Sequence, residues 1–430
     1  MPEKTGHCKG IRVTGMKKAD INTFKLIVFT ALLGAFAGLV IWCFLKAVAV
    51  CTGFLWEALP EKTGLSFLPV IFCTMGGLLT GILHKRFGDY PEELKTVMGR
   101  IQKDKYYDYR PMPALIMCAF LPLICGASVG PEAGLTGIVA ALCYWVGDNV
   151  TLAKRDTELF SQVGEAVTLS QIFHSPLFGI LAVESGEDDR ESISMSGGNK
   201  LLLYGISTAA ALLTAQALNT LFGAAMEGFP SFSRAPSETW DYLMLLLYIP
   251  AGLILYVLFE LCEKLTGGIA GRIPVVIREM FCGAVIGLIG ILIPMAAFSG
   301  EEQMGELMET FVSYSPFFLL GICLIKIFMT TFCINLGMKG GHFFPLIFAC
   351  TCLGFALSSL IFPADPMPHS AFAAAAVTGT VLGAQLKKPL AATLLLLLCF
   401  PAGSLFWIFL CAVIGKNAEK KLSAHIHNPG

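Results

Sequence analysis

The chain has 430 residues, 55% of them apolar and only 14% charged, against about 45–50% apolar and about 25% charged in soluble domains. Thirty basic and thirty-one acidic residues leave a net charge of -1, which excludes a broad basic surface for nucleic acid and an acidic tail. Mean hydropathy is +0.70, and apolar runs recur along the whole length, so the chain reads as an all-α polytopic protein whose solvent is the lipid bilayer.

Taken in order, residues 1–23 are polar and basic, and segment 26–55 follows with enough length to span and no small-residue cleavage site. It reads as a retained membrane helix. Further apolar segments are 68–83, 113–125, 134–146, 201–222, 242–261, 281–298, 317–334, 343–361, 371–384 and 390–414. A helical crossing takes about twenty residues, so 113–125 and 134–146 each cover only part of the hydrocarbon core. Short helices around a Gly-rich interruption mark a binding site, because irregular backbone is tolerated at membrane depth only where protein or a cavity surrounds it.

Two such interruptions occur, Gly126-Ala127-Ser128-Val129-Gly130-Pro131-Glu132-Ala133-Gly134 and Gly337-Met338-Lys339-Gly340-Gly341-His342-Phe343-Phe344-Pro345, one in each half. They predict an inverted repeat with its site at the interface. The expected organisation is a cytoplasmic segment 1–23, a first membrane half 24–184, a connecting loop 185–200, a second half 201–415 and a cytoplasmic tail 416–430. Residues 226–240 read as an aqueous connection. Basic residues at Lys17, Lys18 and Lys25 before the first span, and at Lys416, Lys420 and Lys421 after the last, put both termini in the cytoplasm and make the number of crossings even.

Glu132 carries the chemistry. An ionised carboxylate at membrane depth costs several kcal/mol unless donors or a proton reach it, so its position is functional by default. It also opens a helix behind Pro131, where the dipole favours an anion; a place that attracts a carboxylate attracts other anions. In the second break, Gly340 and Gly341 leave the backbone bare ahead of the amides of His342 and Phe343, an anion site without a charged ligand. Glu165, inside an apolar stretch, is a candidate proton relay, with a water-facing turn as the alternative. Lys339 either concentrates anions or is an ordinary solvated lysine. The fifteen cysteines mostly lie in apolar runs as small hydrophobes. No Cys/His cluster has metal-ligand spacing, and neither metal nor cofactor is expected.

These motifs resemble the CLC family of chloride channels and chloride/proton antiporters, over about residues 24–414. Gly130-Pro131-Glu132-Ala133-Gly134 is similar to the motif of the gating glutamate. Gly341-His342-Phe343-Phe344-Pro345 is similar to the family's Gly-x-Phe-x-Pro, whose amides bind the anion. Phe87-Gly88-Asp89-Tyr90-Pro91-Glu92 lies where the family has Gly-Ser-Gly-Ile-Pro, and His174-Ser175-Pro176-Leu177-Phe178-Gly179-Ile180-Leu181 resembles the stretch ahead of its internal acids.

The resemblance implies a CLC-type inverted-repeat fold with broken helices meeting at a mid-membrane anion site. It also implies a homodimer in the cell membrane, chloride or a similar small anion as substrate, and protons as a second one. Glu132 would gate, and Gly130, Gly341, His342, Phe343 and Gly88 would bind the anion. Gly88 replaces the family's serine ligand, and no tyrosine follows Ile414 to supply the second hydroxyl. The internal proton acceptor falls at Gly186, which leaves Glu184 and Glu187 as relay candidates beside Glu165. Chloride/proton exchange is the leading expectation. A passive voltage-gated channel and a carrier for fluoride or nitrate are alternatives; a membrane enzyme is disfavoured by the absence of HExxH and GxSxG.

Overall fold

The computed structural model describes residues 13–92, 96–97, 107–149, 157–173, 175–184, 197–224, 230–232, 238–397 and 399–427. The described elements are helical, with a single isolated bridge between two loops. Helix α1 (Val13–Gly53) passes through a π-turn (Phe54–Ala58) into the short α2 (Leu59–Thr63), and α3 (Leu68–Phe87) leaves from the same end, where Trp56 meets Phe72 edge-on at 5.4 Å. The first half continues with α4 (Met112–Ile124), α5 (Glu132–Asn149), α6 (Thr157–Ile172) and α7 (Pro176–Glu184). Beyond the connecting residues come α8 (Gly197–Phe222), α9 (Thr239–Ala270), α10 (Val275–Leu292), α11 (Glu301–Thr310), α12 (Pro316–Leu336), α13 (Phe343–Ile361), α14 (Met367–Leu386), α15 (Pro389–Leu395) and α16 (Leu405–His427).

Seven of the described helical runs are long and apolar enough to cross a membrane, and among them Phe343–Ile361 is the most enclosed. Helices that meet lipid on one side and each other on the other associate through close backbone approach at small residues. The α3–α10 pair does this: a Cβ at Gly77, Gly283 or Gly287 would collide with backbone of the opposite helix. Leu246, Ile254, Leu292 and Phe317, by contrast, stay exposed, as side chains facing acyl chains should.

Several boundaries differ from the sequence-based expectation. Residues 13–23 are the start of α1 and 197–200 the first turn of α8, while 185–196 lie outside the described residues. Segment 281–298 ends as a helix at Leu292, followed by a 3-10 turn at Pro294–Ala296. Segment 390–414 is two helices, because Pro401, which cannot donate a backbone hydrogen bond, precedes a 3-10 turn at Ala402–Ser404. Phe232 fills the resulting gap, its N–H donating to the Cys399 carbonyl at 2.8 Å and its ring stacked on Phe400 at 4.5 Å. The 226–240 stretch therefore sends a side chain into the core and is more than an aqueous connection.

Candidate functional site

Both broken helices end alike. Beyond α4 and α12 the chain turns at Gly126 (φ +75°) and Gly337 (φ +104°), left-handed conformations that glycine adopts without Cβ strain. Four residues later in each break lie Gly130 and Gly341, and these pair with each other: Gly130 N–H donates to the Gly341 carbonyl at 2.7 Å and Gly341 N–H to the Gly130 carbonyl at 2.8 Å. Two residues beyond that bridge α5 starts at Glu132 and α13 at Phe343. The common spacing sets two helix N-termini against one point.

Glu132 occupies that point. Its side chain is 2% exposed, Oε1 accepts a hydrogen bond from the Phe343 N–H at 3.0 Å, and Oε2 is buried with no hydrogen-bond partner. A carboxylate of the first half thus caps the first free amide of a second-half helix, where both the donor and the dipole favour negative charge. A Cβ at Gly130 or Gly341 would collide with this carboxylate, so both positions require glycine for close approach.

The other expected anion ligands fare differently. The amides of Gly130 and Gly341 are spent on each other, so what these two glycines supply is the bridge between the breaks. His342 caps α13, with its ring 4.6 Å from Phe343 and 5.9 Å from Phe259 and Nε2 3.4 Å from Gln385 Nε2. Gly88 is exposed and caps α3, its N–H donating to the His84 carbonyl at 3.0 Å; this amide belongs to a helix end and not to the Glu132–Phe343 pair.

The Gly88 turn nevertheless reaches the second break, because Asp89 pairs with Lys339 at 2.6 Å. Lys339 is therefore a half-exposed, ion-paired lysine and not a free one. Burial pushes the Asp89 carboxyl up, but the Lys339 ammonium overrides it and holds the group below its ordinary value. Of the relay candidates, Glu165 is 1% exposed on α6, which corrects the water-facing alternative. Glu184 is the last residue of α7, and Glu187 lies outside the described residues.

Several site residues escaped the sequence reading. Phe173, just past α6, stacks on Phe344 at 4.9 Å with rings 9° apart and lies 6.0 Å from Phe343, forming one wall of the site. Ser128 and Thr330 share a buried hydroxyl contact at 3.1 Å between the first break and α12. Glu279 on α10 accepts a hydrogen bond from His84 Nδ1 at 2.8 Å, lies 3.4 Å from the Arg278 guanidinium and packs against Gly337. Lys326, fully buried on α12, donates to the Ala297 and Phe298 carbonyls, each at 2.8 Å, and its ammonium lies 5.0 Å from the Phe348 ring centroid. A lone cation in an apolar run was the available signal for Lys326; the aromatic and hydroxyl contacts join distant segments and leave no local mark.

Residues 76–419 match the family model described as voltage gated chloride channel. The chain belongs to the voltage gated chloride channel (CLC) family. It is similar to chloride channel protein CLC-e of Arabidopsis thaliana, 24% identical in an alignment of 371 positions that covers 78% of this chain and 49% of that protein. It thus spans about half the length of that relative. The protein YfeO of Salmonella newport is 23% identical in an alignment of 380 positions that covers 84% of this chain and 86% of that protein.

Among solved structures, a slow cyanobacterial Cl-/H+ antiporter superposes with a TM-score of 0.78 at 19% identity, covering 92% of this chain and 94% of that one. A CLC-type fluoride/proton antiporter gives 0.71 at 19% identity, covering 93% and 96%. These likenesses establish the fold: an all-helical, multi-pass CLC architecture.

Proposed function

We propose that the protein exchanges chloride for protons, with Glu132 as the gate and the Phe343 amide as the centre of the anion site. The observation that carries this reading is the hydrogen bond from Phe343 N–H to Glu132 Oε1. The carboxylate sits where an anion would sit, so the two compete for one donor, and a proton on Glu132 releases the place to the anion. The exchange of charge states at one position couples the two fluxes. The superposing antiporters favour exchange over a passive channel. The exposed Gly88, in place of a hydroxyl ligand, keeps a carrier for another small anion such as fluoride as the second reading. Transport, not covalent catalysis, is the activity.

The identical spacing of the two breaks supports two halves, 24–184 and 201–415. Lysines at both ends support cytoplasmic termini in a cell membrane, and the homodimer rests on the family likeness. His342 would add its backbone amide to that of Phe343, while Glu165, Glu184 and Glu187 are the inner relay candidates.

Purified protein in vesicles, with anion efflux and external pH recorded together, tests the reading. Uphill proton movement driven by an anion gradient is the expected result, and Glu132→Gln should remove both it and the pH dependence of anion flux. Unaltered pH dependence in that variant would sink the gate assignment.

A further inference from the structure

A cavity of about 320 Å³ opens between α1, the π-turn, the first break and α11, lined by Leu45, Val48, Pro131, Glu57, Glu301 and Glu302 among others. It lies at the far end of α1 from the N-terminus. Glu57 and Glu302 are exposed, but Glu301 is only 8% exposed. Its Oε2 accepts a long hydrogen bond from the Ser299 hydroxyl at 3.4 Å, and its Oε1 is buried without a hydrogen-bond partner. An acid in this state is costly as an anion.

The loop that carries Glu301 is fixed against the first break. Lys326 donates to the Ala297 and Phe298 carbonyls, Phe298 N–H donates to the Gly126 carbonyl at 2.9 Å, and Gly300 (φ +99°) lies against Phe348. The charged and titratable groups around Glu301 are Glu132 on α5, Glu302 on its own helix, Glu57 lining the same cavity and the Cys399 thiol between α15 and α16. Lys326 is the nearby cation, and its ammonium is directed at the two carbonyls. Burial first, and then the Glu132 and Glu302 carboxylates, push the Glu301 carboxyl well above its ordinary value against the Ser299 hydroxyl.

Resting on the reading of Glu132 as the gate, we propose that Glu301 is its outer proton partner, passing protons between the cavity and Glu132 whenever Glu132 leaves the Phe343 amide. Glu301 shares its cavity with Pro131, the residue immediately before Glu132, and two buried carboxylates so placed are not readily ionised together. While Glu132 holds the amide as an anion, Glu301 keeps a proton. When an anion displaces Glu132, the O–H bond on Glu301 breaks, an O–H bond forms on Glu132, and the Glu301 carboxylate takes its next proton from cavity water. The reverse sequence discharges a proton outward.

The test measures proton and anion flux in vesicles against pH on the cavity side. Glu301→Gln should move the midpoint of proton flux about one pH unit lower, a tenfold change in proton activity, because Glu132 must then collect protons unaided. Glu302→Gln, at the exposed rim, should leave the midpoint in place. In a Glu132→Gln background, Glu301→Gln should change nothing in the pH profile of anion flux. Glu301→Asp keeps an acid one methylene further back and should shift the midpoint in the same direction by less, which carries the test if the glutamine variant does not fold. A wild-type midpoint in a folded Glu301 variant, or an equal shift in the Glu132→Gln background, overturns the proposal. Wild-type pH dependence in Glu132→Gln alone would instead overturn the gate reading.

Discussion

Replacing Gly341 by alanine asks whether the anion shares the place of the Glu132 carboxylate. The new methyl would overlap Glu132 Cδ and Oε1, and since the carboxylate is the end of a flexible side chain, it can swing away while the Gly130–Gly341 bridge stays. The displaced carboxylate loses a charge-assisted hydrogen bond of about 1.5–3 kcal/mol. The methyl then stands where the anion must approach the Phe343 amide, so anion binding should weaken by the same margin, about ten- to a hundredfold. Overpacking costs about 1–3 kcal/mol of stability, small enough for a folded protein. Gly205→Ala on α8, where a Cβ meets nothing within 4 Å, serves as the control and should be neutral or stabilising by up to about 1 kcal/mol. Anion titration calorimetry on the purified variants reads the affinity, and vesicle efflux reads transport. A folded Gly341→Ala protein with normal anion affinity and efflux would refute the shared site.

Lys326→Met strands the buried Ala297 carbonyl, at about 1–3 kcal/mol, and frees the half-buried Phe298 carbonyl; thermal unfolding in detergent should show a clear fall in Tm, and an unchanged Tm would contradict the clamp. Phe173→Ala removes the ring stacked on Phe344, and loss of a buried phenylalanine costs about 3–5 kcal/mol, read as a lower midpoint of denaturation. The Asp89–Lys339 pair contributes above the unfolded carboxylate value and loses that contribution as pH falls through the depressed folded value. With Asp89 62% exposed the contribution is at most about 1 kcal/mol. The stability difference between wild type and Asp89→Asn should therefore be present at neutral pH and close in acid; a difference that persists in acid excludes the ion pair as its source.

The membrane class, the two breaks and Glu132 were legible because each leaves a local mark: unbroken apolar length, paired glycines, and an acid where hydrocarbon would forbid one. The equal spacing that joins Gly130 to Gly341 was also present in the sequence, but its consequence was not. Once the two glycines bond to each other, their amides are unavailable, and only the next helix start, at Phe343, remains to meet Glu132. For Gly88 likewise, a motif position says nothing about whether its N–H is already spent on closing a helix, as this one is on the His84 carbonyl. Phe173, Ser128 and Phe232 were invisible because their partners are far away in the chain. Glu301 was overlooked since it opens a polar-looking stretch, Glu301-Glu302-Gln303, in which only the packing of the preceding loop buries one acid and exposes the next.

The central claim is that Glu132 and the transported anion take turns on one amide. Bromide diffraction from crystals of the Glu132→Gln protein tests it most directly, because a neutral amide is a weaker competitor than a carboxylate by about 1–2 kcal/mol, about tenfold in occupancy. The account predicts an anomalous peak within hydrogen-bond distance of the Phe343 N–H, stronger than in wild-type crystals grown at the same bromide concentration. Bromide bound only at lysine or arginine side chains, with no peak at Phe343, would contradict it.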